Sequence, residues 1–365
     1  MRIGIIKQKF VRLSGGSERY MTGLVAALKK MGYELHVFTA AWDSSAETQD
    51  VILHRVPVVR GFSFTRQWSF AQNCRRALER ASCDLVFSLE RSLRQDIARA
   101  GGGCHQEWIA QRDRYAPFWE QILMRFDPLD ALLIRLERQT FSPQNTRFII
   151  ANSHRGKEEI IHHYGFPGER IFVVHNGADC ERFKPSLRAA RDEFVLLLVG
   201  SGFLRKGVEF AIRALARLPS RVRLRIAGKG RSSRYLRLAQ KLGVAQRVEF
   251  LGTNARIEEV YADADLLVHP AIYEPFSNAC LEAMACGLPV VSSRINGASE
   301  VIVPGQNGAV VENPGDIASL AAAIEPFLNP KIYAAASASA RRTAESLPFN
   351  RNVEQTIEVI CKLKS

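Results

Sequence analysis

The chain has 365 residues, 47% of them hydrophobic, and a formal net charge of +13 at pH 7. That length suits two or three domains of about 150 residues each, and no run of about 18 apolar residues offers a membrane-spanning helix. The positive charge is spread along the chain, with 27 Lys and Arg against 20 Asp and Glu in residues 1–185. No single tail explains it, and a nucleotide diphosphate, an acidic lipid surface or nucleic acid are all open as anionic targets.

The first residues, Met1-Arg2-Ile3-Gly4-Ile5-Ile6-Lys7, are too short in their apolar part for a signal peptide and read as a buried strand. Further strands are expected at 34–38, 51–56, 84–88 and 148–151, with helices at 18–31, 70–81 and 157–164. A second series opens at 194–200 and continues with strands at 223–227, 247–251, 265–269 and 289–293, with helices between them. Alternation of this kind predicts βαβ units and parallel sheets, an α/β fold. A linker is expected near 176–191, and a last helix over about 350–364, after Pro348. The seven cysteines are odd in number and form no C-x-x-C pair, which suits a reducing cytoplasm better than a disulfide framework or a cysteine zinc site.

Four segments carry candidate chemistry. Gly15 and Gly16 follow the first strand and open the first helix, where the backbone can approach an anion. Gly101-Gly102-Gly103, just before Cys104-His105, lets a ligand come close to the backbone. Gly200 ends the first strand of the second series and leads to Arg205-Lys206 at a helix start, where a diphosphate docks in a parallel sheet. In the stretch 273–291, Glu274 and Glu282 stand seven residues apart around a helix start whose N–H groups, from Phe276 through Ser277 and Asn278 to Ala279, suit phosphate.

This E-x7-E segment, followed by a small-residue helix and the strand entry Gly287-Leu288-Pro289-Val290-Val291, resembles the retaining glycosyltransferases of family 4. The resemblance implies the GT-B fold: two Rossmann-like parallel-sheet domains facing across a cleft. Residues 1–185 would bind the acceptor, with a helix of about 350–365 crossing back onto them, and 186–349 would bind the nucleotide-sugar. Arg205 and Lys206 would then hold the diphosphate beside Gly200, and Gly15 and Gly16 would lie opposite it. Glu282 would take the ribose diol and Glu274 the hydroxyls of the transferred sugar, with Phe276, Ser277 and Asn278 around sugar and phosphate. Arg256 and Ile257 would flank the nucleobase. His105 would lie near the sugar's C6 hydroxyl, with His154 and His175 as competitors, while His269 packs at a strand end. Asn176 and Gly177 would shape the hinge turn.

Several expectations follow. Asp263-Ala264-Asp265 matches a metal signature of another glycosyltransferase fold, but its position argues against that role; GT-B enzymes generally need neither metal nor cofactor. Trp108, Tyr115, Trp119, Ile122 and Phe126, with Arg112, Arg114 and Arg125 beside them, read as one aromatic and basic helix face that either packs in the core or rests on an anionic membrane. Across most of its length the chain looks most like the bacterial enzymes that add glucose to the lipopolysaccharide inner core. That likeness implies UDP-glucose as donor, a glycan or glycolipid acceptor, and a cytoplasmic enzyme at the inner membrane face. A UDP-sugar epimerase and a non-catalytic lipid- or nucleic-acid-binding protein are the alternatives; the chain has no aromatic-basic RNA motif, so nucleic acid is not an expected partner.

Overall fold

The computed structural model describes residues 1–10, 16–43, 51–116, 118–124, 127–186, 191–253 and 256–363. The chain forms two compact units, Met1–His175 with Asn350–Ser365, and Asn176–Phe349.

In the first unit, β1 (Arg2–Ile6), β2 (Lys9–Phe10), α1 (Gly16–Lys30), β3 (Glu34–Thr39), β4 (Ala41–Trp42), β5 (Val51–Arg55), α2 (Ser63–Ala81) and β6 (Leu85–Ser88) come first. They are followed by β7 (Ile97–Arg99), α3 (His105–Tyr115), α4 (Phe118–Met124), α5 (Pro128–Thr140), β8 (Phe148–Ala151), α6 (His154–Tyr164) and β9 (Ile171–Val173). Seven strands form one sheet in the order β5-β3-β1-β6-β7-β8-β9, every pair parallel. Ile3, Ile5 and Ile6 are wholly buried. A continuous apolar run is what a strand covered on both faces requires. The carboxy-terminal segment joins this unit: the Asn352 side-chain amide donates to the His175 carbonyl, and the Tyr20 hydroxyl donates to Thr356 Oγ1 at 2.9 Å.

The second unit runs β10 (Phe194–Val199), α7 (Val208–Leu215), β11 (Val222–Ala227), α8 (Ser233–Lys241), β12 (Val248–Gly252), α9 (Ile257–Ala262) and β13 (Leu266–His269). It continues through α10 (Asn278–Ala285), β14 (Val290–Ser293), β15 (Gly308–Val311), α11 (Ile317–Ile324) and α12 (Pro330–Ser346), and α13 (Phe349–Cys361) begins at its border. Its six-stranded sheet is ordered β12-β11-β10-β13-β14-β15, again all parallel. Leu196, Leu197 and Leu198 of the central strand are wholly buried. These two sheets are the Rossmann-like pair that the sequence led one to expect.

The strand order of the second sheet reverses between β10 and β13. In open α/β sheets the loops leaving the carboxyl ends of two strands at such a reversal flank a crevice, the usual ligand position. Gly207 ties the two loops together. Its φ of +71° is a left-handed conformation, and a Cβ there would stand 1.8 Å from the carbonyl oxygen of Pro270, just beyond β13. Gly207→Ala is therefore expected to cost at least about 1–2 kcal/mol from backbone strain alone, read as a lower thermal midpoint; an unchanged midpoint would show that the two loops are not packed this closely.

Candidate functional site

The first loop of the crevice leaves β10 at Gly200, whose N–H donates to the Ala227 carbonyl at 2.8 Å. A Cβ at Gly200 would meet Lys206 Cε at 2.5 Å, so glycine is what lets the lysine stem lie along this backbone. Lys206 is 7% exposed and its ammonium donates to Glu274 Oε2 at 2.6 Å. Arg205 reaches the same oxygen at 3.6 Å with more than a third of its side chain in solvent. Burial alone would raise the Glu274 carboxyl pKa, but Lys206 and then Arg205 outweigh it and hold the group below its ordinary value. Beside the pair, His269 is wholly buried at the end of β13, as expected of a packed strand end. Burial first, and then the Lys206 charge, push its pKa down to about 3, so the imidazole is neutral. Among the described residues neither of its ring nitrogens has a hydrogen-bond partner.

The second loop carries Glu274 toward α10. The Glu274 carbonyl accepts the Gly297 N–H at 2.9 Å, and Asn296 Oδ1 accepts the N–H groups of Ser277 and Ala298, both at 3.1 Å. The Ser277 N–H, which the sequence reading assigned to the ligand, is thus engaged within the fold. Asn278 Oδ1 accepts from the Asn176 side-chain amide at 2.7 Å. Asn176, read from sequence as a turn residue, is therefore also a prop for the helix start. Phe276 is 4% exposed and its ring belongs to the core with Leu281 and Met284. Further along α10, Glu282 is half-buried and accepts the Tyr261 hydroxyl at 2.8 Å. Arg256 is exposed and lies 2.9 Å from Glu259, while Ile257 packs on the core.

The two aspartates of Asp263-Ala264-Asp265 are held by arginines. Arg191 reaches Asp263 at 2.7 Å and Asp265 at 2.8 Å, and Arg225 also pairs with Asp263. Asp265 accepts the N–H of Val195 at the start of β10. This is the amino end of the strands, opposite the crevice. A groove lined by Arg223, Arg225, Arg247 and Glu249 lies at the β11–β12 edge. Its arginines are committed to Glu193, Glu249, Asp263 and backbone carbonyls.

In the first unit, Gly15 lies outside the described residues and Gly16 is the first residue of α1. His105 opens α3 just beyond β7, with its backbone N–H donated to the buried Glu137 carboxylate at 2.8 Å. Its Nε2 lies 2.7 Å from Asp130 Oδ1, and burial lowers its pKa despite that partner. His154 and His175 meet edge to face with ring centroids 5.8 Å apart. The aromatic segment expected as one helix face is split: α3 ends at Tyr115 and α4 begins at Phe118. Pro117, Arg125 and Phe126 lie outside the described residues, as does the side chain of Trp119. Arg112 is 7% exposed and pairs with Asp130 at 2.7 Å, so it faces inward, whereas Phe118 and Ile122 are exposed.

Two parallel α/β sheets, one with a cation–carboxylate cluster at its switch point, have the architecture of the GT-B fold. Residues 14–182 match the model for Glycosyltransferase Family 4, and residues 179–343 match that for Glycosyl transferases group 1. Together the matches run from 14 to 343, and the chain belongs to this glycosyltransferase family. The lipopolysaccharide glucosyltransferase WaaG of Escherichia coli (strain K12) is 26% identical over 82% of both chains. A D-inositol 3-phosphate glycosyltransferase of Mycolicibacterium smegmatis is 33% identical over 54% of this chain and 49% of its own. Among solved structures, WaaG matches with a TM-score of 0.83 at 24% identity, covering 98% of this chain and 99% of its own. Anabaena HepE in complex with UDP-glucose matches at 0.74 and 20% identity, over 100% and 99%. Among the described residues no helix is long and apolar enough to cross a membrane.

The depressed His269 pKa predicts how stability depends on pH. Between its ordinary 6.5 and about 3 the unfolded chain binds the extra proton. Stability from this site is intact above pH 6.5 and falls as the pH drops toward 3. The Glu274 contribution is lost only below that group's ordinary 4.5. In urea unfolding at stepped pH, His269→Asn should flatten the decline that begins near 6.5; a slope identical to that of the parent would contradict this assignment.

Proposed function

We propose that this glycosyltransferase moves a hexose, glucose from UDP-glucose, onto a glycan or glycolipid acceptor such as a lipopolysaccharide core, with retention of anomeric configuration. The observation that carries this reading is the meeting of Arg205, Lys206 and Glu274 at the switch point of the second sheet. Departure of a nucleoside diphosphate develops negative charge, and fixed cations at that place are the largest single source of catalysis available. Arg205 offers a planar fork to phosphate oxygens and Lys206 a compact charge. Glu274, kept ionised by both, accepts hydrogen bonds from sugar hydroxyls, and Glu282 accepts them from the ribose. The N–H groups at the start of α10 add dipolar support for phosphate. His105 is a candidate for a sugar hydroxyl, with Asp130 orienting its ring.

No protein nucleophile is assigned. Retention then follows a front-face course, in which a donor phosphate oxygen takes the acceptor proton as the sugar leaves with oxocarbenium character. The reaction is read as needing neither metal nor cofactor, because Arg205 and Lys206 supply the compensating charge and the Asp263–Asp265 carboxylates are bound to arginines. The UDP-glucose and lipopolysaccharide assignments rest on likeness to WaaG and HepE. The first unit is read as the acceptor binder. A cytoplasmic enzyme resting on the anionic inner membrane face suits the net charge of +13 and the exposed Phe118 and Ile122.

A calorimetric screen of UDP-, GDP- and ADP-sugars is expected to select UDP-glucose. Transfer assays should then lose at least about 100-fold in turnover for Glu274→Ala or Arg205→Ala, by analogy with loss of one preorganised charge-stabilising group, and proton NMR should show the product with the donor's anomeric configuration. Unchanged turnover in these variants would remove the residues from the site. Formation of an epimer from UDP-glucose without acceptor would overturn the transferase reading.

The buried pair also predicts non-additive energetics. Lys206→Met strands Glu274 as a buried charge and should cost about 3–5 kcal/mol of folding stability. Combining it with Glu274→Gln should recover part of that loss in denaturant unfolding. Strict additivity of the two substitutions would show that they do not interact.

A further inference from the structure

We infer that Tyr261 is a positioning residue for nucleotide recognition, acting through Glu282. Tyr261 stands on α9, 21 positions before Glu282, and its hydroxyl donates to Glu282 Oε2 at 2.8 Å. The ring is wholly buried and packs edge-on against Phe183, with centroids 5.6 Å apart. A ring locked in this way holds its hydroxyl oxygen at one place beside the carboxylate. Burial first, and then the neighbouring carboxylate, raise its pKa well above 10, so it is a permanent donor at any working pH.

Glu282 is half-buried on a helix whose neighbours Leu281, Ala283, Met284 and Ala285 are all buried. A flexible carboxylate in such a place loses rotamer freedom on meeting a ligand, and that loss weakens binding. The Tyr261 hydroxyl fixes the carboxylate plane before the ligand arrives. An ionised carboxylate has about four acceptor sites. The phenol occupies one and orients the others. A vicinal diol, with two donors in a fixed relation, is the ligand group that gains most from a carboxylate held at one angle. The inference rests on reading Glu282 as the ribose carboxylate, and it adds that discrimination for the diol comes from a residue that never touches the nucleotide.

The test compares binding of UDP and 2′-deoxy-UDP by calorimetry in the parent, Tyr261→Phe and Glu282→Gln proteins, with a thermal melt of each. The parent should prefer UDP. Glu282→Gln should abolish that preference. Tyr261→Phe should weaken UDP binding about tenfold, the worth of one hydrogen bond to a charged group, while leaving 2′-deoxy-UDP binding nearly unchanged. If Glu282→Gln binds both nucleotides as the parent does, the ribose reading of Glu282 falls and this inference falls with it. If Glu282→Gln loses the preference but Tyr261→Phe keeps it, Tyr261 is only a packing residue and the inference alone is overturned. Equal weakening of both nucleotides by Tyr261→Phe has the same meaning. Should the Phe variant fail to fold, 4-methylphenylalanine at 261 retains the shape without the donor; an unchanged UDP to 2′-deoxy-UDP ratio in that protein would equally overturn the proposal.

Discussion

The second unit is organised around an ion pair that is almost out of water. Lys206 and Glu274 are 7% and 8% exposed, and 2.6 Å separates their charged atoms. Removing two ions from water costs several kcal/mol each, and their attraction does no more than offset this when the geometry is good. A well-packed apolar pair would hold the fold at least as well. The pair makes sense as chemistry: it places a fixed positive charge and an ionised acceptor side by side where a phosphorylated sugar would lie. The surroundings serve that arrangement. Gly200 lets the lysine stem lie along the backbone, Gly207 brings the loop against Pro270, and His269 stays neutral so that it adds no further charge.

Topology decides where such a pair can form. Lys206 and Glu274 are 68 residues apart, yet both leave the carboxyl ends of neighbouring strands, β10 and β13. Chain order reverses only at that border of the second sheet, so the crevice follows from strand order before any side chain is considered. The polar network behind the crevice then fixes each loop in turn. Asn296 holds the backbone of Ser277, Asn176 holds Asn278, and Tyr261 holds Glu282. The acidic pair Asp263 and Asp265 sits at the other end of the same strands, where it anchors arginines.

Much of this is legible in the sequence, for reasons that differ from residue to residue. Buried parallel strands such as Arg2–Ile6 and Phe148–Ala151 appear as apolar runs because both faces are covered, and their bounds agree with the structure. Strands β7 and β9 have three residues each, too few to show a period, and were not anticipated. Glycine loops and a paired cation at a helix start mark Gly200 to Lys206, since few other sequences solve that backbone problem. What escapes is pairing at a distance. Nothing near Tyr261 announces that its hydroxyl serves Glu282. Nothing near His105 shows that Glu137 takes its N–H and Asp130 its ring nitrogen. Arg112 sits beside aromatic residues in the sequence and reads as a surface charge, but Asp130 draws it inward. Helical spacing also misleads here, because the stretch it treats as one helix is two, α3 ending at Tyr115 and α4 beginning at Phe118.

The most direct measurement of the central claim is a crystal structure of the protein with UDP-glucose or UDP bound. The account predicts density for the diphosphate against Arg205, Lys206 and the start of α10, with the ribose at Glu282 and the Lys206–Glu274 pair intact or opened by the ligand's own oxygens. A nucleotide seated elsewhere, for instance in the groove lined by Arg223, Arg225 and Arg247, with the crevice between β10 and β13 left to solvent, would contradict it.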